Sequence, residues 1–196
     1  MLAGRFWMCQ SSAMNSLREF SRFLATPAPP ELGPGPRDGV QAQSELDAAL
    51  DHCLLPSKLP SDNQQLIRAL LLLWHDHLEP AHQLAQSLDT ADGAFVHGIL
   101  HRREPDYGNA AYWFRRVGPH PAFPALAKRV AEFSSSISHA SLLQRLIKNG
   151  QWDPLAFIDA CSSLASKPPS DAGQRYLREV QRIETETLLD WLIQRR

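Results

Sequence analysis

Two short stretches, WHDHLEPAH (residues 74–82) and HGILHRRE (residues 97–104), hold five of the chain's eight histidines: His75, His77, His82, His97 and His101. Imidazole titrates near neutrality and is a common metal ligand. His97 and His101 are four residues apart. On a helix turning about 100° per residue they share a face, and two imidazoles there can converge on one ion. His82 or His75 would supply a third ligand, with Asp76 or Glu104 as ligand, orienter or base. A divalent metal on His97, His101 and His82 is thus one reading; no motif points to any other cofactor. The spacing is not that of H-E-x-x-H, and no cysteine stands nearby. A second reading is an acid/base or small-ligand pocket lined by His75, Asp76, His82, His97, His101, Arg102 and Glu104. A third is structural: imidazoles bonded to one another, to Asp76 and to backbone inside a polar helix–helix interface.

Arginine pairs Arg102–Arg103 and Arg115–Arg116 add a candidate anion site. Planar guanidinium forks at Arg102, Arg115 and Arg116 suit a carboxylate or phosphate. Salt bridges to Glu104, Asp106 and Asp92 are the plainer use of the same charges. The run Tyr112-Trp113-Phe114 reads as core and groove wall. Cys161 sits in an apolar run, where burial leaves a thiol inert. There is no glycine-rich phosphate loop, no serine elbow and no paired-carboxylate signature.

These side chains must be held by helices. With 196 residues, 43% of them hydrophobic, the chain can bury a full core. A net charge of −1 argues against a nucleic-acid-binding domain. No apolar run approaches a membrane span; the longest is Ala69 to Trp74. Three scattered cysteines, Cys9, Cys53 and Cys161, argue for a reducing compartment, so a cytoplasmic location is expected. The Ser- and Arg-containing N-terminus leaves an organellar transit peptide as the alternative, with Met14 a later candidate start.

Residues 25–39, ATPAPPELGPGPRDG, read as a Pro/Gly linker. The expected division is a flexible arm over 1–40, with one short amphipathic helix through Leu17, Phe20 and Leu24, and a single all-α domain over 41–196. Periodicity places helices at about 44–54, 62–78, 80–88, 93–104, 107–117, 122–133, 139–148, 153–165 and 171–194. Ser61 with Gln64 has capping-box spacing, Asp106 and Asp153 are N-cap candidates, and Asn149–Gly150 reads as a helix stop. The last helix carries Leu177, Val180, Ile183, Thr187 and Trp191 along one stripe. On the helix from Ala94, His97 and His101 share a face with Ala94 and Gly98. The small residues predict cover by a neighbouring helix, buried imidazoles, and at least one of them neutral at pH 7. Gly98 is a contact position where leucine overpacks and alanine is tolerated.

Laying IRALLLLWHDHLEPAHQLAQSL over VHGILHRREPDYGNAAYWFRRV at an offset of 29 puts Ala69 on Gly98, Ala81 on Ala110, Ala85 on Phe114 and Leu88 on Val117. This is the pattern of a duplicated helix hairpin. The second copy, with Gly98 twelve residues before Ala110-x3-Phe114, resembles the tetratricopeptide and Sel1-like repeats over residues 62–122. It departs from them at Ala94, His97 and His101, where the motif wants Trp, Leu and Tyr, and in its shorter period. The same wording is similar to that of bacterial and fungal proteins, and that likeness implies no activity. The repeat resemblance implies stacked antiparallel helix hairpins, or else an irregular α-bundle, closed by a long C-terminal helix. It also implies a non-catalytic scaffold binding a protein or peptide. The alternative is a small all-α enzyme or ligand-binding protein using the His/Asp/Arg pocket, with a metal or a small anionic ligand. Converging imidazole rings would favour the alternative; rings separately bonded to backbone would favour the scaffold.

Overall fold

The computed structural model describes residues 19–135 and 140–194. Helices α1 (Gln43–Leu54), α2 (Ser61–Trp74), α3 (Leu78–Ala85), α4 (Ala91–Arg103), α5 (Tyr107–Val117), α6 (Phe123–Ser134), α7 (Ala140–Leu146), α8 (Pro154–Leu164) and α9 (Ala172–Gln194) follow the predicted periodicity closely. The fold is all-α with a long C-terminal helix. No helix among the described residues is long and apolar enough to cross a membrane.

Local chemistry sets most boundaries. Asp106 accepts from Asn109 N at 3.1 Å and Asp153 from Ala156 N at 2.9 Å, so both act as N-caps. Thr90 caps α4 in the same way, through Gly93 N at 3.0 Å. The expected capping box at Ser61 does not form. Pro60 is the N-cap, Ser61 Oγ donates to Asp62, and Gln64 reaches back to the Leu59 carbonyl. Asn149–Gly150 is not a simple helix stop either. Both residues have positive φ, 53° and 76°, and they turn a minimal hairpin pairing Ile147 with Trp152. Asn-Gly is the favoured pair for such a turn because both central positions need the left-handed region.

Helix α4 is the centre of the molecule. Every residue from Asp92 to Arg103 is buried. It packs on α5 most extensively and also on α2 and α3, while α9 closes over α2, α6 and α8. Gly98 permits the closest approach: a Cβ there would lie 2.6 Å from the Phe114 ring of α5. The 29-residue offset pairs positions that are buried in both hairpins: Ala69 with Gly98, Ala81 with Ala110, Ala85 with Phe114.

The Pro/Gly segment is packed, contrary to its reading as a free linker. Phe20, Phe23 and Leu32 enter the core. Prolines leave carbonyls with no ladder to join, and side-chain donors from the helices satisfy them. Arg178 donates to Pro29 O at 2.7 Å, Gln181 to Pro30 O and Glu31 O, and Arg103 to Gly33 O at 3.0 Å. Arg37 donates from its backbone and guanidinium to Asp76, and Trp74 Nε1 donates to Thr26 Oγ1. Residues 20–40 thus form a strap sewn to the helical body. Of the expected N-terminal helix, Leu17 lies outside the described residues, as do Cys9 and Met14.

Candidate metal centre

The pocket proposed from sequence divides in two. His75 is a structural residue: Nδ1 accepts from Gln41 N at 3.1 Å and Nε2 donates to Phe23 O at 2.9 Å. Asp76, at φ +65°, turns the chain after α2 and accepts from both Arg37 and Arg103. Neither joins the other histidines. Arg102 is not on the histidine side. It is fully buried against α9, in a bidentate pair with Glu184 and a contact to Gln181, with its guanidinium 4.2 Å from the Phe157 ring. A buried guanidinium needs this partnership, because unpaired it would cost several kcal/mol, on the order of 3–5. The anion site therefore does not assemble. Arg116 pairs with Asp89 and lies over Trp113, and Arg115 stands apart on the exposed side of α5 beside Lys148.

His82, His97 and His101 do come together. One nitrogen from each lies within 4.8 Å of the other two. His82 comes from α3, across a turn that His77 helps hold through its Nε2 bond to Gln41 O. His97 and His101 come from successive turns of α4, their rings nearly parallel with centroids 5.2 Å apart. His82 stands edge-on to both. On the far side, Trp113 of α5 stacks on His97 at 4.0 Å. His97 and His101 are 2% and 6% exposed, while His82 is half-buried, so the cluster opens to solvent on the α3 side.

Hydrogen bonding singles out which lone pairs are committed. Glu104 Oε2 lies 2.9 Å from His101 Nδ1, and Asn109 Nδ2 lies 3.2 Å from His101 Nε2. In the neutral tautomer this network implies, Nδ1–H donates to the carboxylate, while Asn109 Nδ2, also 3.4 Å from Nδ1, lies against the ring and leaves the in-plane Nε2 lone pair uncommitted. The ring nitrogens of His82 and His97 make no hydrogen bond to the described residues. Burial, then the nearby His82 and His101, push His97 down to about 4. Burial also lowers His101, with Glu104 opposing it. His97 is thus neutral at pH 7, and its lone pair is available to a Lewis acid.

The three-imidazole set suits a borderline ion of the Zn²⁺, Ni²⁺, Co²⁺ or Cu²⁺ class and is a poor match to Mg²⁺ or Ca²⁺, which want oxygen. Tetrahedral coordination at about 2.0–2.1 Å per bond places ligand nitrogens about 3.4 Å apart. The cluster must tighten by little more than 1 Å, within reach of side-chain torsions at the half-exposed His82. Glu104 on His101 is the carboxylate–histidine arrangement that orients metal ligands.

One further cluster was not legible. His120 donates from Nε2 to Asp92 at 2.7 Å and accepts from Ala122 N, while Trp191 Nε1 donates to the same Asp92 oxygen at 2.8 Å. Both imidazole nitrogens are thereby occupied, and this cluster ties α4 to α9. Cys161 is fully buried and its thiol pushed up to about 12, which leaves it inert, as expected. No protein-family model matches the chain, and searches of curated proteins and of solved structures find no match.

Proposed function

We propose that this is a helical binding protein whose ligand is a divalent transition-metal ion held by His82, His97 and His101. The observation that carries the reading is the convergence of three imidazoles, two of them with no nitrogen hydrogen-bonded to the described residues, among packed helices. The ring nitrogens of His82 and His97 are uncommitted to the described residues, and an ion would engage one nitrogen from each of the three rings. The other polar residues of the sequence-derived pocket are committed to structure, which argues for binding rather than acid/base catalysis.

The test is calorimetric titration of untagged protein with Zn²⁺, alongside thermal melts. One ion should bind per chain, and saturation at about 100 times the dissociation constant should stabilise by about 2.7 kcal/mol. His97→Ala should abolish both effects. A parent melt that Zn²⁺ moves no further than that of the variant would refute the reading.

A second reading rests on a different observation and keeps the scaffold role. A cleft of about 670 Å³ lies between the α5–α6 turn and the start of α8, walled by Pro119, Pro121, Pro124, Pro154, Phe123 and Trp152. Proline- and aromatic-lined grooves suit extended, proline-rich peptides. Chemical-shift changes confined to this wall on adding such a peptide would support a docking role, and none at millimolar peptide would exclude it.

A further inference from the structure

We infer that the ion in the histidine cluster keeps one coordination position open to a small carboxylate or other oxygen ligand from solution, with the Asn109 amide as that ligand's hydrogen-bond donor. The inference rests on the metal reading above and specifies what the bound ion takes.

Among the described residues three ligand atoms converge, one from each histidine. Glu104 is held at His101 Nδ1 and is not a member of the converging set. The described cysteines do not join the set either. A tetrahedral ion with three protein ligands has a fourth position, whereas structural zinc sites fill all four from protein.

The direction of that position follows from burial. Trp113 covers His97 on one side and α4 backs the cluster, while His82 and Asn109 are only half-buried. The uncovered side is therefore the α3–α5 rim, and a ligand reaches it from solution.

Asn109 supplies selectivity. Its Nδ2 lies against the His101 ring, 3.2 Å from Nε2 and 3.4 Å from Nδ1, and Nε2 is the nitrogen left for the ion once Nδ1–H is held by Glu104. Neither ring lone pair takes the amide end-on, so its N–H stands next to the coordination sphere with bonding capacity to spare. A metal-bound oxygen carrying a second lone pair, as in a monodentate carboxylate, accepts that bond. Three neutral imidazoles leave the ion's charge of +2 uncompensated apart from Glu104, which favours an anion over a neutral ligand.

Co²⁺ and acetate make the test, because the visible bands of Co²⁺ report its coordination sphere. The full chain saturated with Co²⁺ should show tetrahedral bands that shift as acetate is added. Asn109→Ala, saturated with Co²⁺ in the same way, should bind acetate about tenfold more weakly, the size expected for one hydrogen bond to a charged group. Its own backbone N–H remains capped by Asp106, so the helix start is kept. Tetrahedral bands that acetate leaves unchanged would overturn the open position while leaving the metal reading intact. Equal acetate affinity in parent and variant would overturn the role of Asn109. If no Co²⁺ bands appear at all, the metal reading itself fails, and this inference with it.

Discussion

His97 shows how burial and neighbours act on one side chain. It has two imidazoles beside it and a tryptophan on its face. Burial, to which the tryptophan contributes, and the two neighbouring imidazoles disfavour the imidazolium. Its folded value of about 4 lies below its ordinary 6.5, so between those values the unfolded chain binds more protons than the folded one. Stability is then complete above about pH 6.5 and falls as pH drops through the 6.5-to-4 window, levelling off below it. His75 and His101 are lowered as well and act in the same direction. The expected loss from His97 alone is on the order of 3 kcal/mol between pH 7 and pH 4. Urea melts across this range should show it, and His97→Leu should flatten the slope. A parent whose stability is level from pH 7 to pH 5 would contradict the buried neutral ring.

Between elements, the α4–α5 contact is the tightest constraint. Helix propensity favours alanine over glycine by about 1 kcal/mol, and by that measure alone Gly98→Ala would be harmless. The Phe114 ring decides otherwise. It is 2% exposed and already packed edge-on to Phe95, so it cannot swing away from a new Cβ at 2.6 Å. Gly98→Ala should therefore destabilise by about 1–3 kcal/mol, and Gly98→Leu by more. Because α4 carries His97 and His101, displacement of this helix should also weaken metal binding. Denaturant midpoints of the two variants check the first point; an alanine variant as stable as the parent would mean that α4 and α5 do not meet here.

For the molecule as a whole, the strap changes what a minimal folding unit is. Starting the chain at Gln41 removes Phe20, Phe23 and Leu32 from the core. It also strips Asp76 of Arg37, leaves Arg178 and Gln181 without the carbonyls to which they donate, and takes Gly33 O from Arg103, which keeps Leu73 O and Asp76. Losing several buried apolar side chains, each worth about 1.5–3 kcal/mol, together with stranded buried donors at about 1–3 kcal/mol each, approaches the whole stability of a domain this size. The chain from residue 41 should unfold cooperatively at far lower urea than the full chain, or fail to fold. Matching midpoints would restore the division at residue 40.

Helix positions and the general burial of His97 and His101 were written in the local sequence, because the 3.6-residue period and the caps at Asp106 and Asp153 depend on near neighbours alone. The four-residue spacing of His97 and His101 likewise made a shared face legible, and Gly98 announced a close approach. What lay beyond local reach was partnership. Arg102 pairs with Glu184, 82 residues away. The one sequence signal was that Glu184 interrupts the apolar stripe of the last helix, between Val180 and Thr187. Composition made the Pro/Gly stretch look like a linker, since it counts apolar side chains and not the carbonyls that distant arginines came to bond. His75, Asp76 and His82 are close in sequence and equally plausible ligands by type. Only the turn after α2, with Asp76 in the left-handed region, sends His75 and Asp76 to the strap and leaves His82 to meet α4. The types and spacing of side chains determined which helices form and which faces are buried. The tertiary structure decided which polar groups face one another, because that depends on chain reversals and long-range packing that no local period encodes.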